Sequence, residues 1–213
     1  MPRNIPADDS SIGSATSRRA LLSAFAAAPA AALAAPVTPP WDHALTLLHD
    51  EYDDEPAALV RTKERRSLSR FRYDNAETFF ESLDWGFYDR RDEVLYQSGI
   101  VAQLALTSHL LDVGFSDRWN ARHVRLDIAK GLAYANATGF AHHCPDMARL
   151  AAVLSPYWKW GHAHQFDQPR PDDGGFTLDA VRPILRALLD RVHDVTGHPR
   201  PGRSPRRQRE ARS

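Results

Sequence analysis

The chain has 213 residues and one cysteine, Cys144, so an intramolecular disulfide is excluded, and a body of roughly 160 residues can bury a core without one. A formal net charge of zero conceals two opposed regions: residues 37–199 hold 18 Lys and Arg against 24 Asp and Glu, a net of −6, whereas residues 200–213 hold six arginines and Glu210, a net of +5. Only three of the 27 cations are lysine, and this arginine bias throughout the chain weakens the tail as a nucleic-acid signal, so nucleic acid is not expected as a partner.

Residues 1–16 are polar and lack apolar periodicity, so no packed element is expected there. Ser17, Arg18, Arg19, Ala20, Leu21 and Leu22 follow, and then an uncharged run from Ser23 to Ala35. A small polar residue, two arginines and two bulky apolar residues before a mildly hydrophobic run resemble the bacterial twin-arginine signal. The resemblance implies recognition by export machinery through Arg18, Arg19, Leu21 and Leu22, and a periplasmic location. Ala32 and Ala34 form the small-x-small cleavage pattern, which gives a mature chain from about Ala35, and residues 1–36 are assigned as leader and signal ahead of the folded body. The run is shorter than the ~20 apolar residues a bilayer requires, so no membrane span is expected in the mature chain. The alternative is a cytoplasmic protein with its leader uncleaved.

In the body, Thr38-Pro39-Pro40 reads as a helix start, and Trp41, Leu45, Leu48 and Tyr52 share one helical face. Asp54 before Pro56 suggests a second cap ahead of a basic stretch from Arg61 to Arg72. Asp74 and Glu77 have capping-box spacing before a short apolar helix carrying Phe79, Phe80, Leu83 and Phe87. A long helix is expected from Asp89 to Asp112, closed by Gly114. Ser116 opens another, reaching Gly139 with Trp119, Leu126, Ala129, Leu132 and Ala133 inward. Pro145 starts an apolar helix through Leu154 that Pro156 interrupts, residues 161–176 read as loop, and Thr177 caps a last helix over 178–195 that Gly197 ends. Pro183 should kink that helix or displace its start. No stretch alternates with period two, so the fold class is all-α: an irregular bundle of six to seven helices in a single domain over 37–199, with an unstructured tail over 200–213.

Four features could carry chemistry. His142, His143, His162 and His164 flank one helix and are metal-capable, with Cys144 and Asp167 nearby, but their spacing matches no known tetrahedral site, and no resident cofactor is expected. Trp158 and Trp160 lie in the densest aromatic cluster and could stack on a sugar or a cation; two residues apart, they cannot share a helical face, so one ring should be exposed. His123 and Asp127, four apart, could pair as a base and its orienter. The acidic run from Asp50 to Glu55 could hold a cation but reads as solvated surface facing the basic 61–72 stretch. No P-loop, dinucleotide turn, nucleophile elbow or HExxH is present, and the reading leans away from an enzyme. The expected function is an exported, non-catalytic helical binding or interaction protein. A metal-dependent hydrolase using the loop histidines, or a cytoplasmic nucleic-acid-associated protein using its basic tail, are the alternatives.

Overall fold

A computed structural model describes residues 41–84, 90–161 and 171–201, with the side chain of Asp84 left out; these residues belong to one folded unit that begins at Pro39. The signal-like segment with Arg18, Arg19, Leu21, Leu22, Ala32 and Ala34 lies outside them, as do Thr38-Pro39-Pro40, Phe87, His162, His164 and the tail from residue 202. Among the described residues every regular element is helical, and no helix is long and apolar enough to cross a membrane. In chain order they are α1 (Asp42–Tyr52), α2 (Lys63–Asp84), α3 (Arg91–Val113), the single turn α4 (Asp117–Trp119) running into a π-helical turn (Asn120–Val124), α5 (Ile128–Ala137), α6 (Pro145–Leu154), the single turn α7 (Trp158–Gly161) and α8 (Leu178–Thr196).

The centre of the bundle is α3. Its sequence is apolar or small nearly all round, from Val94 and Leu95 through Val101, Ala102 and Ala105 to Leu110 and Leu111, and a helix of that kind has to be buried on every side. Accordingly α2, α5, α6, α7 and α8 all pack on it. Its end is sharp: Gly114 takes φ 117°, and a Cβ there would stand 2.8 Å from the amide nitrogen of Val60, which donates to the Gly114 carbonyl at 3.0 Å. The opening of α3 lets α7 in, since a Cβ at Gly99 would overlap the Tyr157 side chain.

Against α3 lies α2, whose buried positions Ser69, Tyr73, Ala76, Phe80 and Leu83 alternate four and three apart, the spacing of one helical stripe. Where the two helices cross, Ser69 Oγ donates to the Ser108 carbonyl at 2.7 Å and Ser108 Oγ to the Ser69 carbonyl at 2.8 Å, a reciprocal pair possible only between small side chains. The expected break at Asp74 does not occur. The basic stretch and the apolar one are a single helix started by Thr62, whose hydroxyl accepts the Arg65 amide at 3.2 Å, because nothing between residues 63 and 84 breaks the turn. Glu77 is no capping partner: it is buried and takes a two-pronged pair from Arg186 of α8, 2.7 Å on each oxygen, with Tyr73 donating at 2.6 Å.

Other expectations meet mixed fates. Thr177 caps α8 through the Ala180 amide and Gly197 ends it at φ 68°, but Pro183 lies inside the helix without displacing its start, since the helix forfeits only one intrahelical bond there. The helix proposed from Ser116 to Gly139 is broken. Ser116 caps as expected, yet the chain passes through a π turn and then Arg125 at φ 53°, ψ −118°, before Asp127 caps α5 by accepting the Lys130 amide at 2.9 Å.

Candidate ligand-binding site

The break between α4 and α5 builds the site. From Ser116 the chain makes one α-turn and then widens, so that the Arg125 amide donates to the Asn120 carbonyl five residues back at 2.8 Å. Such π turns occur mostly as single turns and often at functional sites. Arg125 ends the turn with a positive φ that side-chain-bearing residues rarely adopt. Two bonds hold it there: Gln103 Nε2 of α3 donates to its carbonyl at 3.0 Å, and its own Nε donates to the Arg122 carbonyl at 3.0 Å.

Between the π turn, α2 and α3 is an open cleft of about 400 Å³. Asn120, Arg72, Arg125 and Asp117 supply its polar lining together with Gln103 and Thr107, while Ala121 and Leu126 are its apolar part. The decisive residue is Asn120. It is only 5% exposed, and neither its Oδ1 nor its Nδ2 has a hydrogen-bond partner. Leaving a buried donor or acceptor unpaired costs about 1–3 kcal/mol each, so this amide calls for a partner that no described protein group supplies. Arg72 is similar: its Nε is buried without a partner, and one terminal nitrogen reaches Asp117 Oδ1 at a long 3.3 Å. The Arg125 guanidinium, engaged through Nε alone, meets no carboxylate among the described residues. Gln103, by contrast, is mostly occupied, since it also accepts from the Tyr157 hydroxyl at 3.0 Å.

Beside the cleft, a second polar cluster fixes the turn. Asp54 accepts from Lys130 Nζ at 2.8 Å, His123 Nδ1 at 3.1 Å and the Tyr134 hydroxyl at 2.6 Å. Burial pushes the Asp54 carboxyl up, but the hydrogen bonds from Lys130 and Tyr134 outweigh it and hold the group below its ordinary value. Burial, and then the bond to Asp54, push the Tyr134 phenol up. Trp119 stacks on His123 with ring centroids 4.9 Å apart and donates Nε1 to the Glu55 carbonyl at 2.9 Å. Both carboxylate oxygens being committed, the cluster clamps the α1–α2 loop to the π turn. It also overturns three expectations. Asp54 is not a helix cap, the acidic run turns the side chain of Asp54 inward and pairs Glu55 with Arg122 rather than with the 61–72 stretch, and His123 pairs with Asp54 while Asp127 caps α5. The π turn and the break after it rotate His123 and Asp127 off a common helical face.

Of the other sequence-derived candidates, those among the described residues do not line the cleft. His142 is half-buried with Nε2 lacking a partner and its ring near Phe140, while neighbouring His143 is exposed; His162 and His164 lie outside the described residues. Among the described residues no three His, Cys, Asp or Glu side chains gather where a metal could be held. Trp160 is buried and donates to the Val153 carbonyl at 3.0 Å, while Trp158 is 40% exposed, as their spacing requires. Sequence reasoning missed Ser69 and His198, whose Oγ and Nε2 stand 2.6 Å apart; both are buried and the Ser69 hydroxyl donates to the Ser108 carbonyl, so the pair ties the segment after α8 to α2. It missed Asn120 too, although Asp127 directly before Ile128 has the form of a cap and could have signalled the break. Compared with known proteins, the chain matches no family model, no curated protein and no solved structure.

Proposed function

We propose that this chain is a non-catalytic binding protein for a small polar molecule, received in the cleft at the π turn, and that it works in the bacterial envelope after export. One observation carries the binding reading: the Asn120 amide, buried on the wall of an open cleft with donor and acceptor both unpaired. The cleft volume falls within the range of small-ligand sites, and an amide, two guanidinium groups, a carboxylate and a hydroxyl are the groups that orient a polar molecule. The envelope part rests on the resemblance of residues 17–35 to a twin-arginine signal.

The test is Asn120→Leu, which keeps the shape of the side chain and removes both unpaired groups. The variant should unfold at higher temperature than the wild type, gaining about 1–3 kcal/mol, because binding sites are commonly built against stability. Small polar compounds that raise the wild-type midpoint should raise that of the variant much less. A lower midpoint with the compound response intact would remove the cleft as a binding site.

A further inference from the structure

We infer that the molecule received in the cleft is a small amino acid with a carboxamide side chain, of the glutamine or asparagine type; this rests on the cleft being a binding site, as proposed above. Each part of such a ligand has a counterpart in the lining. A primary carboxamide presents a donor and an acceptor side by side, the complement of the unpaired Nδ2 and Oδ1 of Asn120. The α-carboxylate suits the guanidinium of Arg72, whose Nε is unpaired, and that of Arg125. The ammonium suits Asp117, which is held by Arg72 only at 3.3 Å and is half-exposed.

The lining also argues against other classes. A nucleobase would satisfy Asn120, but the cleft wall has no aromatic side chain on which to stack, and stacking supplies about 1–3 kcal/mol per base. Inorganic phosphate would suit the arginines, but its dianion has a single P–OH donor to offer Asn120 and would face the Asp117 carboxylate. A neutral sugar would leave the Arg125 guanidinium without an anion. Glutamate is the sharpest comparison, since it has the shape of glutamine and differs by replacing the amide donor with a second charged acceptor.

The experiment is calorimetric titration of the full chain with L-glutamine, L-asparagine, L-glutamate, inorganic phosphate and AMP. Glutamine or asparagine should bind at least about tenfold tighter than glutamate, the discrimination of a site built to pair a donor. In Asn120→Leu, that preference should collapse to within about twofold. In Arg72→Lys, all three amino acids should weaken together, because a point charge replaces the planar fork. Ala121→Trp, a change at an exposed wall residue, should fill the cleft and abolish binding with the melting transition intact, separating loss of the site from loss of the fold. Tighter binding of glutamate, phosphate or AMP would overturn the ligand class and leave the cleft a binding site. If none of the five probes binds and no small polar compound shifts the melting midpoint, the binding reading itself fails.

Discussion

His109 stands near the C-terminal end of α3 with almost no solvent contact, and its surroundings dictate its protonation. The Thr138 hydroxyl donates its proton to the carbonyls of Tyr134 and Ala135, so His109 Nε2, 3.3 Å away, must be the donor between them. That leaves Nδ1 as a bare, buried nitrogen without a partner. Burial, opposed by the bonds around Thr138 and aided by Arg191, pushes the imidazole down to about 4. An unfolded histidine takes up its proton below about pH 6.5, and the folded one does not until about pH 4. Stability should therefore be complete above pH 6.5 and fall by about 3 kcal/mol as pH drops to 4. His49, His142 and His198 are shifted the same way, burial being the first cause in each, so they add to the slope. Melting midpoints measured from pH 7 to 4 should decline, and His109→Gln, which keeps a donor to Thr138, should flatten the decline. An unchanged slope in that variant would show that His109 is not the buried proton acceptor described.

Between helices, the Glu77–Arg186 pair joins α2 to α8. Burial pushes the Glu77 carboxyl up, yet the bonds from Arg186 and Tyr73 hold it below the ordinary range, so the pair's contribution is present above pH ~4.5 and lost as pH falls below it. Arg186→Ala should cost about 3–5 kcal/mol in denaturant unfolding, since it strands a buried charge, whereas Glu77→Leu with Arg186→Leu should recover most of that loss. If the single and double variants were equally unstable, the cost would lie in packing over Phe80, which the Arg186 guanidinium covers at 5.2 Å.

The same pair shows what the sequence could and could not reveal about elements. Helices α1, α3, α6 and α8 are legible because their apolar residues recur at helical spacing and Gly114 and Gly197 end two of them. α2 was misread because Asp74 and Glu77 copy a cap signal, and nothing local reveals that Glu77 faces an arginine 109 positions away. The π turn was invisible for a related reason. The expected Leu132 is buried and Trp119 and Ala129 pack on the core, but the widened turn brings in Val124, Ile128, Tyr134 and Ala135 and leaves Leu126 and Ala133 only partly buried, and in the sequence Asn120 reads as an ordinary polar position. A long-range ion pair and a one-residue slip are both outcomes of tertiary packing, so local pattern does not encode them.

For the molecule as a whole, the proposed export rests on residues outside the described structure. Arg18→Lys with Arg19→Lys keeps the charge and the apolar run, so only a receptor that reads guanidinium groups would respond. The doubly substituted precursor should stay in the cytoplasm at full length, while the wild-type chain should be recovered from the periplasm beginning near Ala35. A wild-type chain found in the cytoplasm with residues 1–34 attached would end the export reading.

The uneven burial of the bundle also sets a hierarchy in time. Amide protons along α3 from Val101 to Leu111 are enclosed by neighbouring helices, so their exchange with deuterium has to wait for global unfolding. The amides of Asn120 to Arg125 lie in a widened turn beside an open cleft and can exchange through a local opening that leaves the core intact. An occupant of the cleft would slow exchange at the turn first and, through the mass-action gain in stability, along α3 by a uniform amount. Exchange mass spectrometry with and without the occupant would then read site and affinity in a single trace, one from where protection rises most and the other from how far the slowest amides move.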